Sequence, residues 1–148
     1  MTYNQKIVLT LLGAAAFVLP MLPSTTTYTA EAAIAAKKPT LTHAQDLWLA
    51  SLEWCESRGN PNVKVLDSND KYSYGAFQFQ MQTFLWQGKK HGLVATSTTE
   101  KQGKTLIYDY GLQRQLVAIM VSNGLEYHWK NCTRKIGPYP KDLPTVPK

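Results

Sequence analysis

The residues best suited to chemistry in this chain are carboxylates. Glu56 lies in Trp54-Cys55-Glu56-Ser57, just ahead of the breaker run Gly59-Asn60-Pro61. A carboxylic acid that is partly desolvated holds its proton to higher pH and can then protonate a glycosidic oxygen near neutrality. Asp67 and Asp70 stand in Asp67-Ser68-Asn69-Asp70, a composition that forms turns. Turn formation is the simpler account of both, and service as a second carboxylate is the alternative. His43, His91 and His128 are at no zinc-ligand spacing and no Cys-x-x-Cys pair exists, so no metal and no cofactor are expected. Cys55 and Cys132 are the only cysteines. An even count suits a disulfide in an exported chain, with two free thiols as the alternative.

Three kinds of element must position these groups. Residues 42–58 have helical spacing, with Ala44, Leu47, Trp48, Ala50, Leu52, Trp54 and Cys55 as the expected apolar face. Thr42 and Gln45 form a candidate capping box, and Gly59, Asn60 and Pro61 stop the helix. Glu56 therefore falls in the last turn, where the negative end of the helix disfavours a second negative charge. In residues 63–80, Val63 and Val65 alternate with polar residues, and Tyr72, Tyr74, Phe77 and Phe79 favour strands. A hairpin or small irregular sheet follows from this, with Tyr74 and Phe77 read as core residues rather than sugar-stacking platforms. Residues 81–92 predict a short helix closed by Gly92. Residues 94–106 are polar and predict a surface loop with at most a helical turn. Asp109 can start a further helix whose Leu112, Leu116, Ile119 and Met120 form one stripe, ended by Gly124. A last short helix carries Cys132 back towards Cys55. The tail 133–148 holds four prolines and is expected to be an extended strap or a disordered end.

The ends and the totals bound the function. Residues 7–22 form an apolar run broken by Thr10 and Pro20, preceded by Lys6. The run is shorter than the ~20 residues of a membrane span and suits the core of a secretory signal. Ala30-Glu31-Ala32 and Ala33-Ile34-Ala35 both fit a cleavage pattern. Residues 1–35 are therefore read as a signal peptide, with an uncleaved anchor as the alternative, and the chain as secreted or held in the cell envelope. The whole chain has 16 Lys and Arg against 10 Asp and Glu, a net charge of +6. Residues 1–35 contain one of each sign, Lys6 and Glu31, so their removal leaves the balance unchanged. Such a surface concentrates anionic partners. Without a Lys/Arg run or a nucleic-acid motif, an anionic cell wall is a better candidate than nucleic acid.

Two segments, CESRGNP with Glu56 and SYGAFQFQ from Ser73, follow each other in an order that resembles the lysozyme-like superfamily, in particular its soluble lytic transglycosylase and resuscitation-promoting-factor branches. TFLWQGKKHGL resembles the segment that follows those motifs, and HWKNC resembles the disulfide end of some secreted members. The resemblance covers roughly residues 43 to 132. It implies a mostly helical α+β domain over 36–132, with helices around a short sheet and a glycan-binding cleft between them. It also implies a monomer that cleaves peptidoglycan glycan strands without a cofactor. Glu56 would be the acid and then the base, Gln78 would hydrogen-bond the sugar or its amide, Gly75 would let the backbone approach the glycan, and Ser73 would face Glu56. Animal-type lysozymes carry an aspartate at the position of Ser73, seventeen residues after the glutamate. Serine there removes the second carboxylate of a retaining hydrolase and points to a transglycosylase, in which the substrate's own N-acetyl oxygen and 6-hydroxyl complete the reaction. A muramidase using Asp67 or Asp70, and a wall-binding module without turnover, are the competing readings. The chain departs from the family in lacking a late Tyr-Asn motif. Asn123 and Tyr127 stand in the wrong order and spacing, which leaves the far wall of the cleft unassigned.

Overall fold

The structure is a computed structural model and describes residues 39–141. The signal peptide expected at 1–35 lies outside the described residues. Helix α1 spans His43–Ser57 and opens with the capping box expected of Thr42 and Gln45, each side chain bonded to the other's backbone N–H. A three-stranded antiparallel sheet follows, in the order β1 (Lys64–Leu66), β2 (Tyr72–Tyr74) and β3 (Phe79–Gln80). The remaining helices are α2 (Met81–Lys90), α3 (Glu100–Leu106), α4 (Tyr110–Ser122) and α5 (Lys130–Ile136), with a 3-10 turn at Glu126–Trp129 leading into α5. The class is α+β and mostly helical. Among the described residues, no helix is long and apolar enough to cross a membrane.

The core gathers Leu49 and Leu52 from α1, Phe77 and Phe79 from the sheet region, Phe84 from α2, and Leu116, Val117 and Met120 from α4. Two sequence expectations change. Of the apolar face expected on α1, only Trp48 and Leu52 are buried, joined by Leu49 and Gln45. Leu47 and Trp54 are exposed, Trp54 to 60%. Among the described residues, nothing buries them, and the Arg58 guanidinium sits over the Trp54 ring at 5.6 Å. Gln45 turns inward because its amide has a partner there: Nε2 donates to the Pro140 carbonyl at 3.1 Å. The second change is in 94–106, where the expected loop contains α3. Thr99 and Gln102 cap it reciprocally, and Gly103 lets the helix pack within van der Waals reach of Leu85 and Met81 on α2.

The disulfide between Cys55 and Cys132 is present and spans 77 residues of sequence, fastening α5 against the end of α1. Residues beyond 132 do not leave the domain at once. α5 runs on to Ile136, and an extended strap then crosses α1. The Trp48 indole donates to the Gly137 carbonyl at 3.0 Å, and Tyr139 is buried edge-on against the Trp48 ring at 5.2 Å.

Candidate active site

Glu56 reaches its place through the ending of α1. The chain leaves the helix with Arg58 left-handed at φ 58°, its N–H bonded to the Trp54 carbonyl, and Gly59 follows at φ 77°. The helix thus ends one residue before the expected Gly-Asn-Pro breaker, and Glu56 stays in regular helix on the face turned towards the sheet. The sheet supplies the opposite wall. Ser73 pairs with Val65 on one side and Gln80 on the other. Side chains alternate along a strand, so Ser73 faces the same space as Glu56 while Tyr72 and Tyr74 face away.

The result is a cleft of about 850 Å³ that contains Glu56, Asp67, Ser73 and Gln78. Burial pushes the Glu56 carboxyl up from 4.5 to about 7. The negative charge of Asp67 adds to the shift and the positive charge of Lys135 opposes it. Among the described residues, no side chain hydrogen-bonds the Glu56 carboxylate, so its loss of hydration is offset only in part, by the Lys135 charge. Such an acid is half protonated near neutral pH and is suited to giving a proton to a leaving oxygen.

Asp67 stands beside Ser73 in the cleft. Its Oδ2 accepts the Ser73 hydroxyl at 2.5 Å and the Gln80 amide at 2.9 Å. It is also a turn residue, its N–H bonded to the Lys71 carbonyl and its carbonyl accepting the Asp70 N–H. The two readings of Asp67 are therefore compatible. Asp70 is different: exposed and left-handed at φ 60° in the turn, it is not among the residues that line the cleft. Gln78 lines the cleft at φ 51°, with its amide donating to the Gly75 carbonyl at 2.7 Å.

Gly75 is buried and is not among the residues that line the cleft. At φ +75° it leaves space for Gln113, whose Nε2 would lie 1.9 Å from an added Cβ. That buried amide accepts the Phe77 N–H at 2.9 Å and donates to the carbonyls of Tyr74 and Ile107. Gln113 thereby holds the β2–β3 connection on which Ser73 and Gln78 ride.

The far wall, unassigned from the sequence, comes from the 3-10 turn and the start of α5: Tyr127, His128, Lys130 and Asn131. Tyr127 stacks on the His128 ring at 4.5 Å, and burial lowers the His128 pKa. Trp129 is structural, its indole donating to the Phe77 carbonyl at 2.8 Å and its ring packed against Phe79. Among the described residues, no group of His, Cys, Asp and Glu is arranged to hold a metal ion.

Comparison with protein-family models, with curated proteins and with solved structures finds no match in any of the three. The functional reading therefore rests on the cleft and on the two motifs that flank it.

Proposed function

We propose that this chain is a secreted, lysozyme-like lytic transglycosylase that cleaves the bond between N-acetylmuramic acid and N-acetylglucosamine in peptidoglycan. The observation that carries the reading is a lone glutamic acid with its pKa raised to about 7 inside an open cleft. Its motif and the one supplying Ser73 and Gln78 stand in the order that resembles that family. Glu56 protonates the glycosidic oxygen as the bond to C1 of the muramic residue breaks. The N-acetyl oxygen of the same sugar stabilises the electron-poor C1. The ionised Glu56 then removes the proton from the 6-hydroxyl as that oxygen attacks C1, giving a 1,6-anhydro product and restoring the acid. Gln78 and the far-wall side chains orient the sugar, and the basic surface favours an anionic wall.

A second reading, hydrolysis of the same bond, is favoured by one observation: Asp67 presents a carboxylate to the cleft beside Ser73. In that case Asp67 supports the positive charge developing at C1 or activates a water. The two are separated by mass spectrometry of purified peptidoglycan digested with residues 36–148. Anhydro-muropeptides support the transglycosylase and reducing ends the hydrolase. Folded, oxidised protein that yields neither product overturns both and leaves a wall-binding module.

A further inference from the structure

The described residues form another cavity besides the cleft. This second one, of about 990 Å³, lies on the other face of β2. Its floor is apolar and aromatic: Tyr72, Tyr74, Met81, Leu85 and Trp86. Tyr72 is 43% exposed and Trp86 59% exposed, with the Lys64 ammonium over the Tyr72 ring at 3.8 Å and that of Lys90 over the Trp86 ring at 5.5 Å. Charges of both signs ring the floor, with Lys71 and Lys89 against Asp70 and Glu100. The two cavities share Gln80, Thr83 and His128, so a polar saddle joins them over the edge strand β3.

A straight continuation of a glycan strand does not suit this shape, because the second cavity opens on the opposite face of the sheet. A flexible branch leaving the strand does. We propose that the second cavity binds the peptide stem attached to a sugar held in the cleft. This rests on the glycan-cleaving reading of the cleft. Crossing the saddle, the amides of the stem meet Gln80, Thr83 and His128, which offer donors and acceptors. Methyl side chains lie on Tyr72 and Trp86. Stem carboxylates meet Lys71 and Lys89, and a free amine meets Asp70 and Glu100. Concave, mostly apolar sites with a few convergent polar groups are the usual form of a ligand pocket. Here the mixed signs match a ligand that carries both charges.

The test uses two forms of the same strands, peptide-bearing and stripped of stems by an amidase. Trp86→Ala, at an exposed position, should raise KM for peptide-bearing strands by about 3- to 10-fold, the size of one aromatic contact. It should leave kcat, and KM for stripped strands, unchanged. Trp86→Phe should restore most of the loss, and Trp54→Ala, exposed but outside both cavities, should have no effect. In parallel, inactive Glu56→Gln protein is titrated with a disaccharide-tetrapeptide and with the bare disaccharide, following the Trp86 indole N–H by NMR. A shift with the first ligand only is expected. Equal losses on both kinds of strand would mean that Trp86 holds sugar, and unchanged KM on both would mean that the cavity holds nothing; either overturns the proposal. Wild-type protein that cleaves neither strand fails the parent reading instead, and the titration still decides whether the stem binds.

Discussion

At the scale of single residues, Glu56 carries a stability cost, and under the proposed function it also sets activity. Its folded pKa of about 7 lies above the 4.5 of an unfolded glutamate. Between those values the folded state binds more protons than the unfolded one, so stability falls as pH rises through that window. Below 4.5 the cost is absent, and above 7 it is fully present. Glu56→Gln should therefore abolish cleavage and also raise Tm at pH 8, with the gain fading as pH falls towards 4. Thermal melts of both proteins across pH 4–8 check this, and an equal difference at every pH would remove the buried-acid account. The neighbours give shifts of opposite sign. Asp67→Asn removes a negative charge and should move the alkaline limb of the pH–rate profile to lower pH. Lys135→Met removes a positive one and should move it higher. Because burial is the largest cause, neither change should bring the limb down to 4.5.

At the scale of elements, the position most sensitive to change is Gly75. Gly75→Ala adds a Cβ where the Gln113 amide sits and forces a left-handed φ on alanine. Displacing Gln113 leaves several buried backbone groups without partners, at about 1–3 kcal/mol each. Unfolding in denaturant should report a loss of ~3 kcal/mol or more. Much of this level was legible in the sequence. The cap at Thr42, the start at Asp109, the stop at Gly92 and the stripe through Leu116 and Met120 all stand where the pattern puts them. Burial of polar side chains was not. Gln45 and Gln113 are buried with their amides bonded to backbone groups far off in sequence, the Pro140 carbonyl and the Phe77 N–H, which the local pattern does not mark. Gln113 does lie in phase with Leu116, Val117 and Met120, which is the signal that could have marked it. Glu56 stands out as a candidate from its motif, whereas the bond between Asp67 and Ser73 needed the fold of the turn.

At the scale of the whole molecule, two long-range ties close the helical body: the disulfide and the strap over α1. In the loop-entropy account, a bridge spanning 77 residues contributes about 4–5 kcal/mol, and natural bridges in small domains about 2–5. Cys132→Ser should lower Tm by roughly 10–20 °C in a domain of this size. Calorimetry of the variant checks it, and a drop of only a degree or two would mean that the strap and core suffice. The mostly helical α+β class expected from the resemblance agrees with the element order, and part of the tail expected after 132 packs against α1. Tyr139 and the Gly137 carbonyl belong to the α1 packing, and prolines around them gave no sign of burial. The bridge has one more effect. It joins the residue before Glu56 to the element that carries Lys130 and Asn131. The two sides of the cleft thus meet through a single covalent bond that forms only under oxidising conditions. Without it, the far wall would be held to the rest of the domain only by contacts such as the Trp129 indole on the Phe77 carbonyl. Under the proposed function, the same bond that stabilises the domain would then act as a clock, delaying cutting until the chain meets an oxidising compartment.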